Sequence, residues 1–400
     1  MRPRTASLIA ALLALVAKLY CAATTSGTND ADAFYNFGRF IWERGLLAQY
    51  RATPEFNHTP FTGWFCALAY GIGNGVAFNW LLRLPGIVAD FLAVRVLLDL
   101  RETSGRPPWW ALGLFALSPV NFMVSGFHGN VDSVLAWLLL LAVRECMRGR
   151  VESCALVFAL ACQVKVIPLL LAPAFFFFWL AQGRGRSFFL VATGAILLGW
   201  LVPLVTIPEV FLHNVLGYNS NWGSWGVTYW LHATGWAPFA PVGFQGLTAL
   251  QLAIMGALKA VIIGAALGLG WRRRGLPADA LASTPCLIWA VFFVFAPGVG
   301  AQYLVWFAPL LVLHAPRWYA AITAASAAFL FVFYTTISRG LPWNRGLSTA
   351  DVLPQWVAWT NLPWLILVAF LISEFTRLGR ATYSSSSSSA LSVSSSGGNS

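Results

Sequence analysis

Long apolar runs separated by short polar breaks recur along the chain from Ser7 to Ser373. A helix that crosses the hydrocarbon core needs roughly 20 predominantly apolar residues. On that measure the pattern predicts spanning helices near 7–23, 84–100, 109–127, 131–146, 152–165, 167–181, 188–206, 247–270, 282–297, 301–314, 317–334 and 355–374. The expected fold class is all-α, a polytopic membrane protein with about 12–13 transmembrane helices in a single integral-membrane domain over residues 1–380. The run 61–80 carries Gly71, Gly73, Asn74 and Gly75. It is expected to dip into the outer leaflet or lie along it as a broken helix, since such backbone survives at membrane depth only against protein or a cavity. From Asn29 the spacing of Phe34, Phe37, Phe40 or Ile41, and Trp42 predicts an amphipathic helix lying on the membrane surface. The Ser-rich segment 381–400 is low in complexity and expected to be a disordered cytoplasmic tail.

Composition agrees with a membrane protein: 58% of residues are hydrophobic and 10% charged, against about 25% charged in soluble domains. The net charge of +11 does not point to nucleic acid, because its arginines sit in clusters between apolar runs. Arg101/Arg106, Arg144/Arg148/Arg150, Arg184/Arg186, Arg272/Arg273/Arg274, Arg317 and Arg377/Arg380 fall on one side with Arg2 and Arg4. The positive-inside bias makes that side, with both termini, the cytoplasm. External segments are then the loop 24–60, the junction 127–132, the hinge 163–168, a second large loop over 207–246 and a shorter stretch near 335–354. Lys18 interrupts the first apolar run and no clear cleavage site follows, so that run is expected to stay as an anchor. Six cysteines without a CxxC suit small apolar residues at helix interfaces, not a disulfide framework or zinc site.

Charge is scarce, so its location matters. The loop Thr24–Phe61 gathers Asp30, Asp32, Glu43 and Glu55 with Arg39, Arg44, Arg51 and His58. A carboxylate at a helix start caps it and meets the dipole; that accounts for one aspartate better than for two. The junction SGFHGNVDS sets His128, Asn130 and Asp132 between two spans, where capping and substrate contact are both served by these types. In QVKVIP, Lys165 stands where two short crossings turn, at headgroup depth; it can snorkel to the interface, and it also suits a lipid phosphate. Asp90 and Arg95 are expected to neutralise each other along one helix, and Lys259 to face protein or water. The aromatic loop with Trp222, Trp225, Tyr229, Trp230 and Trp236 is expected to help form a lid. No Walker A, GxGxxG, HExxH or GxSxG pattern occurs, so soluble nucleotide chemistry has no place.

Taken in order, these motifs resemble the GT-C superfamily of polyprenyl-phosphate-dependent glycosyltransferases, and are most similar to the catalytic subunit of GPI mannosyltransferase I and its bacterial relatives. The likeness rests on NDAD after the first span, an amphipathic helix, FNHTPF, LPGIVAD at Asp90, GNVDS, KVIP, and AQYLVW with Gln302, Tyr303 and Trp306. The order runs from about Asn29 to Leu311; AFY after Asp32 and FNHTP in place of an aromatic-rich RYTP depart from the family pattern. The resemblance implies a membrane glycosyltransferase that moves a hexose, mannose first among the candidates, from a polyprenyl-phosphate donor to a hydroxyl of a glycan or glycolipid on the external or luminal side. It implies inversion, with Asp32 or Asp30 as catalytic base. Lys165 and His128, with Arg51, would meet the phosphate, and Asn130, Asp132, His58, Gln302 and Tyr303 would complete the substrate contacts. Asp-x-Asp can hold Mg²⁺ or Mn²⁺, but with a lysine at the phosphate no metal or other cofactor is expected. The partners are the lipid bilayer and the two substrates, without nucleic acid. A bacterial plasma membrane is the first choice of location and the ER membrane the second. The competing reading is a lipid-linked-sugar flippase or other polytopic transporter, which predicts two related halves; no internal repeat is visible.

Overall fold

A computed structural model describes residues 2–73, 75–217, 222–236, 247–347 and 353–394. Among the described residues the chain is helical apart from one two-residue ladder. It opens with α1 (Pro3–Thr24), β1 (Gly27–Thr28), α2 (Asn29–Arg44), α3 (Leu46–Ala52), α4 (Pro60–Ile72) and α5 (Val76–Ser104). Next come α6 (Trp109–Ala116) and a single turn α7 (Pro119–Asn121) that runs into a π-helical turn, Phe122–His128. Then follow α8 (Asp132–Met147), α9 (Val151–Val164), a 3-10 turn Ile167–Leu171, α10 (Ala172–Ala181) and α11 (Gly185–Thr206). The second half holds α12 (Pro208–Leu216), α13 (Gly226–Ala233), α14 (Ala249–Arg272), α15 (Ser283–Phe295), the 3-10 turn Ala301–Val305, α16 (Ala308–His314), α17 (Pro316–Ile337), β2 (Arg345–Gly346), α18 (Leu353–Val357) and α19 (Asn361–Ser394).

Among the described residues seven helical segments are long and apolar enough to cross a bilayer: Pro3–Thr24, Trp109–His128, Gly185–Thr206, Ala249–Arg272, Ala278–Phe295, Pro316–Ile337 and Pro354–Arg380. Three shorter apolar helices, Val151–Val164, Ile167–Ala181 and Ala301–His314, lie among them. The protein is therefore a multi-pass, all-α membrane protein. Val151–Val164 and Ile167–Ala181 match the sequence expectation of two short crossings that turn near Lys165, whereas the expected spans 84–100 and 131–146 fall on α5 and α8, which are not among these segments. α19 continues past Arg380 through the Ser-rich stretch to Ser394, where a disordered tail was expected from composition.

The expected break in 61–80 falls at its glycines: α4 stops at Ile72 and α5 starts at Val76. Thirteen residues extend about 20 Å, short of a core of roughly 30 Å. Phe61, Trp64, Leu68 and Ile72 line its outer face and are all more than half exposed, which gives α4 a lipid-facing stripe. Its inner face packs on α2 at Gly38, where a Cβ would stand 2.4 Å from the Cys66 carbonyl oxygen. α2 in turn buries Ala31, Phe34, Gly38 and Ile41 at helical spacing, as expected of the amphipathic helix.

Two docking devices fix this outer layer. β1 pairs in parallel with β2, Gly27 opposite Arg345 and Thr28 opposite Gly346, so Arg345 and Gly346, within the 335–354 stretch, lie against the start of the first loop. The start of α4 is held to the hinge at 163–168: Thr59, its N-cap, donates to the Gln163 carbonyl and Thr62 to that of Val164 at 2.7 Å. The FNHTPF and QVKVIP motifs, a hundred positions apart, thus share one junction.

Buried charge is arranged differently from the sequence expectation. Asp90 pairs with Lys18 of α1 at 2.5 Å and also accepts from Ser125 at 2.6 Å and Asn121 at 3.3 Å, while Arg95 is exposed. Five residues place side chains about 140° apart around a helix, so Asp90 and Arg95 cannot meet on α5. Arg83 is wholly buried and donates to Ala22, Thr25 and Gly126. It clamps α1 and β1 to the π-helical turn.

Gly27, at φ +85°, has its ideal Cβ position 2.5 Å from this guanidinium. Because Arg83 is held by four hydrogen bonds, it has no room to withdraw. Gly27→Ala is expected to cost about 1–3 kcal/mol, seen as a lower Tm in detergent; an unchanged Tm would contradict the clamp.

Candidate active site

The first turn of α2 is set by Thr28, whose hydroxyl accepts from the Asp30 amide at 3.3 Å and donates to the His128 carbonyl at 2.8 Å. One side chain therefore caps the helix and fixes its start against the π-helical turn. That turn ends at Gly129, φ +89°, a left-handed conformation suited to glycine. The reversal presents His128, Asn130 and Asp132 in succession. Wide π-helical turns recur at functional sites.

Asp30 is the centre of the cluster. Its Oδ2 accepts from His128 Nε2 at 3.0 Å, Asn130 Nδ2 at 2.9 Å and Gln302 Nε2 at 3.2 Å. Three donors from separate positions of the chain converge on one oxygen. Among the described residues Oδ1 has no such partner, and the side chain keeps 30% of its surface exposed. Burial pushes the Asp30 carboxyl up, but the charge of His128, the hydrogen bonds from His128 and Asn130 and the charge of Lys165 outweigh it and hold the group down at about 2.

Behind His128 stands Tyr334 of α17, its hydroxyl 2.9 Å from Nδ1. With a neutral ring the phenol donates to Nδ1; with a charged ring it accepts. Either way Nε2 carries the hydrogen that meets Asp30. Tyr334→Phe removes that tether from a buried nitrogen, with an expected loss of about 1–3 kcal/mol in stability and a slower turnover. Equal Tm and equal turnover in the variant would remove Tyr334 from the site.

A second ionic group adjoins the first. Lys165, in extended backbone after α9, donates to both oxygens of Asp132 at 2.8 and 3.1 Å. Asp132 is fully buried in the first turn of α8 and also accepts from the Trp306 indole. The ammonium lies 5.2 Å from the centre of the Tyr303 ring and 5.6 Å from that of Trp306, and these two rings stack at 3.9 Å. Cation–π contact of this kind holds the lysine over an aromatic floor while leaving one N–H for a ligand.

The structure thus brings together Asp30, His128, Asn130, Asp132, Lys165, Gln302 and Tyr303. It separates Asp32 from them: its carboxylate is 40% exposed and bound by Arg345 at 2.9 Å. Asp32 sits about 200° around α2 from Asp30, so the two carboxylates face different partners and do not form one ligand pair. Arg51 is exposed in the last turn of α3 and makes none of the contacts of this cluster described above. His58 packs among Phe34, Phe37 and Phe56; burial, then the charge of Lys165, push its pKa down to about 3 against the opposing pull of Asp30. A neutral imidazole is no phosphate counter-charge, though it borders the cluster. The aromatic loop puts Trp222 and Trp225 inside the protein, Trp225 donating to the Phe293 carbonyl at 2.7 Å; these two are not lid residues. Within 207–246, residues 218–221 and 237–246 lie outside the described residues.

Tyr334 and Trp306 join the site, and Arg83 braces the turn that carries it, without having been expected there from sequence. Trp306 belongs to the AQYLVW motif, and that motif is the signal that could have found it. Tyr334 and Arg83 each lie in an apolar run with no local mark.

Residues 75–213 match the ALG6, ALG8 glycosyltransferase family. The matched stretch, about a third of the chain, holds Arg83, His128, Asn130, Asp132 and Lys165, and supports GT-C superfamily membership and a membrane glycosyltransferase. One solved structure, that of ArnT from Cupriavidus metallidurans bound to undecaprenyl phosphate, is similar over 91% of this chain and 76% of that one, at 17% identity and a TM-score of 0.43. A likeness so loose carries no residue-by-residue comparison.

Proposed function

We propose that the protein transfers a hexose, mannose being the first candidate, from a polyprenyl-phosphate donor to an acceptor hydroxyl of a glycan or glycolipid, with inversion, and that Asp30 is the base. The observation that carries this reading is the one-sided occupation of Asp30: three donors saturate Oδ2 and leave Oδ1 open. The acceptor oxygen attacks the anomeric carbon and its proton passes to Oδ1. The bond from that carbon to the phosphate oxygen breaks, and the electron pair leaves with the lipid phosphate.

A carboxylate held near 2 is a weak base, and this suits an oxocarbenium-like transition state. There the hydroxyl becomes strongly acidic only as the new bond forms, so ionisation and position matter more than basicity. Lys165 would meet the departing phosphate with its remaining N–H, as fixed electrostatics. Gln302 and Asn130 hold the orientation of the carboxylate. No metal enters this scheme. The site would face the external or luminal side of the membrane, with a bacterial plasma membrane preferred to the ER.

A hollow of about 640 Å³ between α1, the junction of α6 and α7, the π-helical turn and α17 is lined mainly by apolar side chains, among them Leu13, Phe122, Phe331 and Trp343. Trp343 also packs on Tyr334, ring centres 5.6 Å apart, so this hollow adjoins the polar cluster. It offers room for the first isoprene units of a donor.

Because Asp30 has its pKa depressed from 3.8 to about 2, its ionised form is favoured in the folded protein. The stability it contributes is complete well above pH 4 and is lost as pH falls toward 2. Transfer is therefore expected to show no ionisation of Asp30 between pH 5 and 8; an acidic limb in that range that moves in Asp30→Glu would contradict the assignment. The function itself is tested by incubating membranes that contain the protein with labelled sugars on synthetic polyprenyl phosphates. Label should reach an acceptor in step with release of polyprenyl phosphate, and absence of transfer from every hexose donor would refute the reading.

A further inference from the structure

The far end of the bundle carries a second polar hollow that sugar transfer does not use. It measures about 450 Å³ and is lined by Arg106, Arg273, Arg377, Asp279, Ser283 and His314. Pro316, the first residue of α17, also lines it. Tyr334 is on the same helix, 18 residues further on (316 to 334), or about 27 Å along the axis. The two sites therefore lie at opposite ends of α17.

Three separate elements supply the guanidiniums: the turn after α5, the end of α14 and α19. Their partners leave positive charge over. Arg377 donates to Glu374 at 2.6 Å, and the same carboxylate oxygen is 2.9 Å from His314 Nε2. Among the described residues Arg273 is held by the neutral hydroxyls of Thr284 and Ser283. Among the described residues the Arg106 side chain has no partner. Counting Asp279 and Glu374 against the three arginines leaves one net positive charge (3 − 2) around the hollow. Burial, and then the neighbouring charge of Arg377, push Arg273 below the ordinary arginine range. Like charges close enough to repel are therefore converging on one space.

We propose that this hollow binds a phosphate-bearing anion, supplied by the headgroup of an anionic phospholipid, between Arg106, Arg273 and Arg377. Guanidinium forks match phosphate oxygens in pairs. Basic pockets between transmembrane helices at one membrane surface recognise such headgroups. Arg101, Arg148, Arg150, Arg184, Arg272 and Arg274 cluster in the same polar breaks, and Trp110 and Trp271 are about half exposed beside them, as expected of an interfacial belt. The occupant would tie α5, α14 and α19 together, so its effect is on stability.

The test is thermal unfolding of the full chain in neutral detergent, titrated with phosphatidylglycerol, phosphatidylcholine or inorganic phosphate. Phosphatidylglycerol should raise the Tm saturably and phosphatidylcholine should not. The double variant Arg106→Gln/Arg377→Gln should need about tenfold more lipid or above for half the effect. Arg106→Lys/Arg377→Lys should keep most of the response, and Arg184→Gln, which removes a partner of Glu152 outside the hollow, all of it. If inorganic phosphate alone reproduces the shift and the double variant loses it, the site stands with free phosphate as its source. An equal response in wild type and the double glutamine variant, an equal loss in Arg184→Gln, or no response to either ligand would overturn it.

Discussion

Asparagine in place of Asp30 is expected to slow sugar transfer by about 10²- to 10⁴-fold, the span usual for a lost general base, with little change in KM. The amide can still hold Asn130 or Gln302 through its oxygen, so the fold should tolerate it. What it cannot do is take the acceptor proton at the open position. Asp32→Asn is the natural contrast: that carboxylate is exposed and bound to Arg345, so its loss should change turnover only a few-fold, through the β1–β2 junction. A reversal, with Asp32→Asn inactive and Asp30→Asn active, would show that the base is on the other face of α2.

The second large effect concerns the pair beneath the substrate. Asp132→Ala leaves the Lys165 ammonium and the Trp306 indole without their acceptor inside the protein. Removing one partner of a buried ion pair typically costs about 3–5 kcal/mol, a large part of the roughly 5–15 kcal/mol that stabilises a domain. Asp132→Ala should therefore be poorly folded in detergent. The double variant Asp132→Ala/Lys165→Met should regain much of that stability yet remain without activity, because the phosphate contact is gone as well. Recovery of activity along with stability would show the pair to be structural alone.

What could be read from the sequence depends on the range over which each interaction acts. Apolar periodicity is local, so the seven long apolar helices, the amphipathic α2 and the break at Gly71–Gly75 could be read directly. Ordered short motifs carried Asp30, His128, Asn130, Asp132, Lys165, Gln302 and Tyr303, and the structure gathers these side chains. The choice between Asp30 and Asp32 was beyond reach, because both belong to the same helical turn and only packing against the π-helical turn decides which one points inward. Lys18 and Asp90 are 72 residues apart, and nothing in either segment names the other. Arg83 and Tyr334 look like isolated polar residues in apolar runs until the folded chain gives them Thr25 and His128.

The most direct measurement uses purified protein in liposomes that carry a labelled sugar on a polyprenyl phosphate in the outer leaflet, with acceptor supplied outside. Labelled product should form with one polyprenyl phosphate released per sugar, and Asp30→Asn liposomes should form almost none. Movement of intact lipid-linked sugar between leaflets, with no product and no released phosphate, would contradict the transferase and favour a flippase.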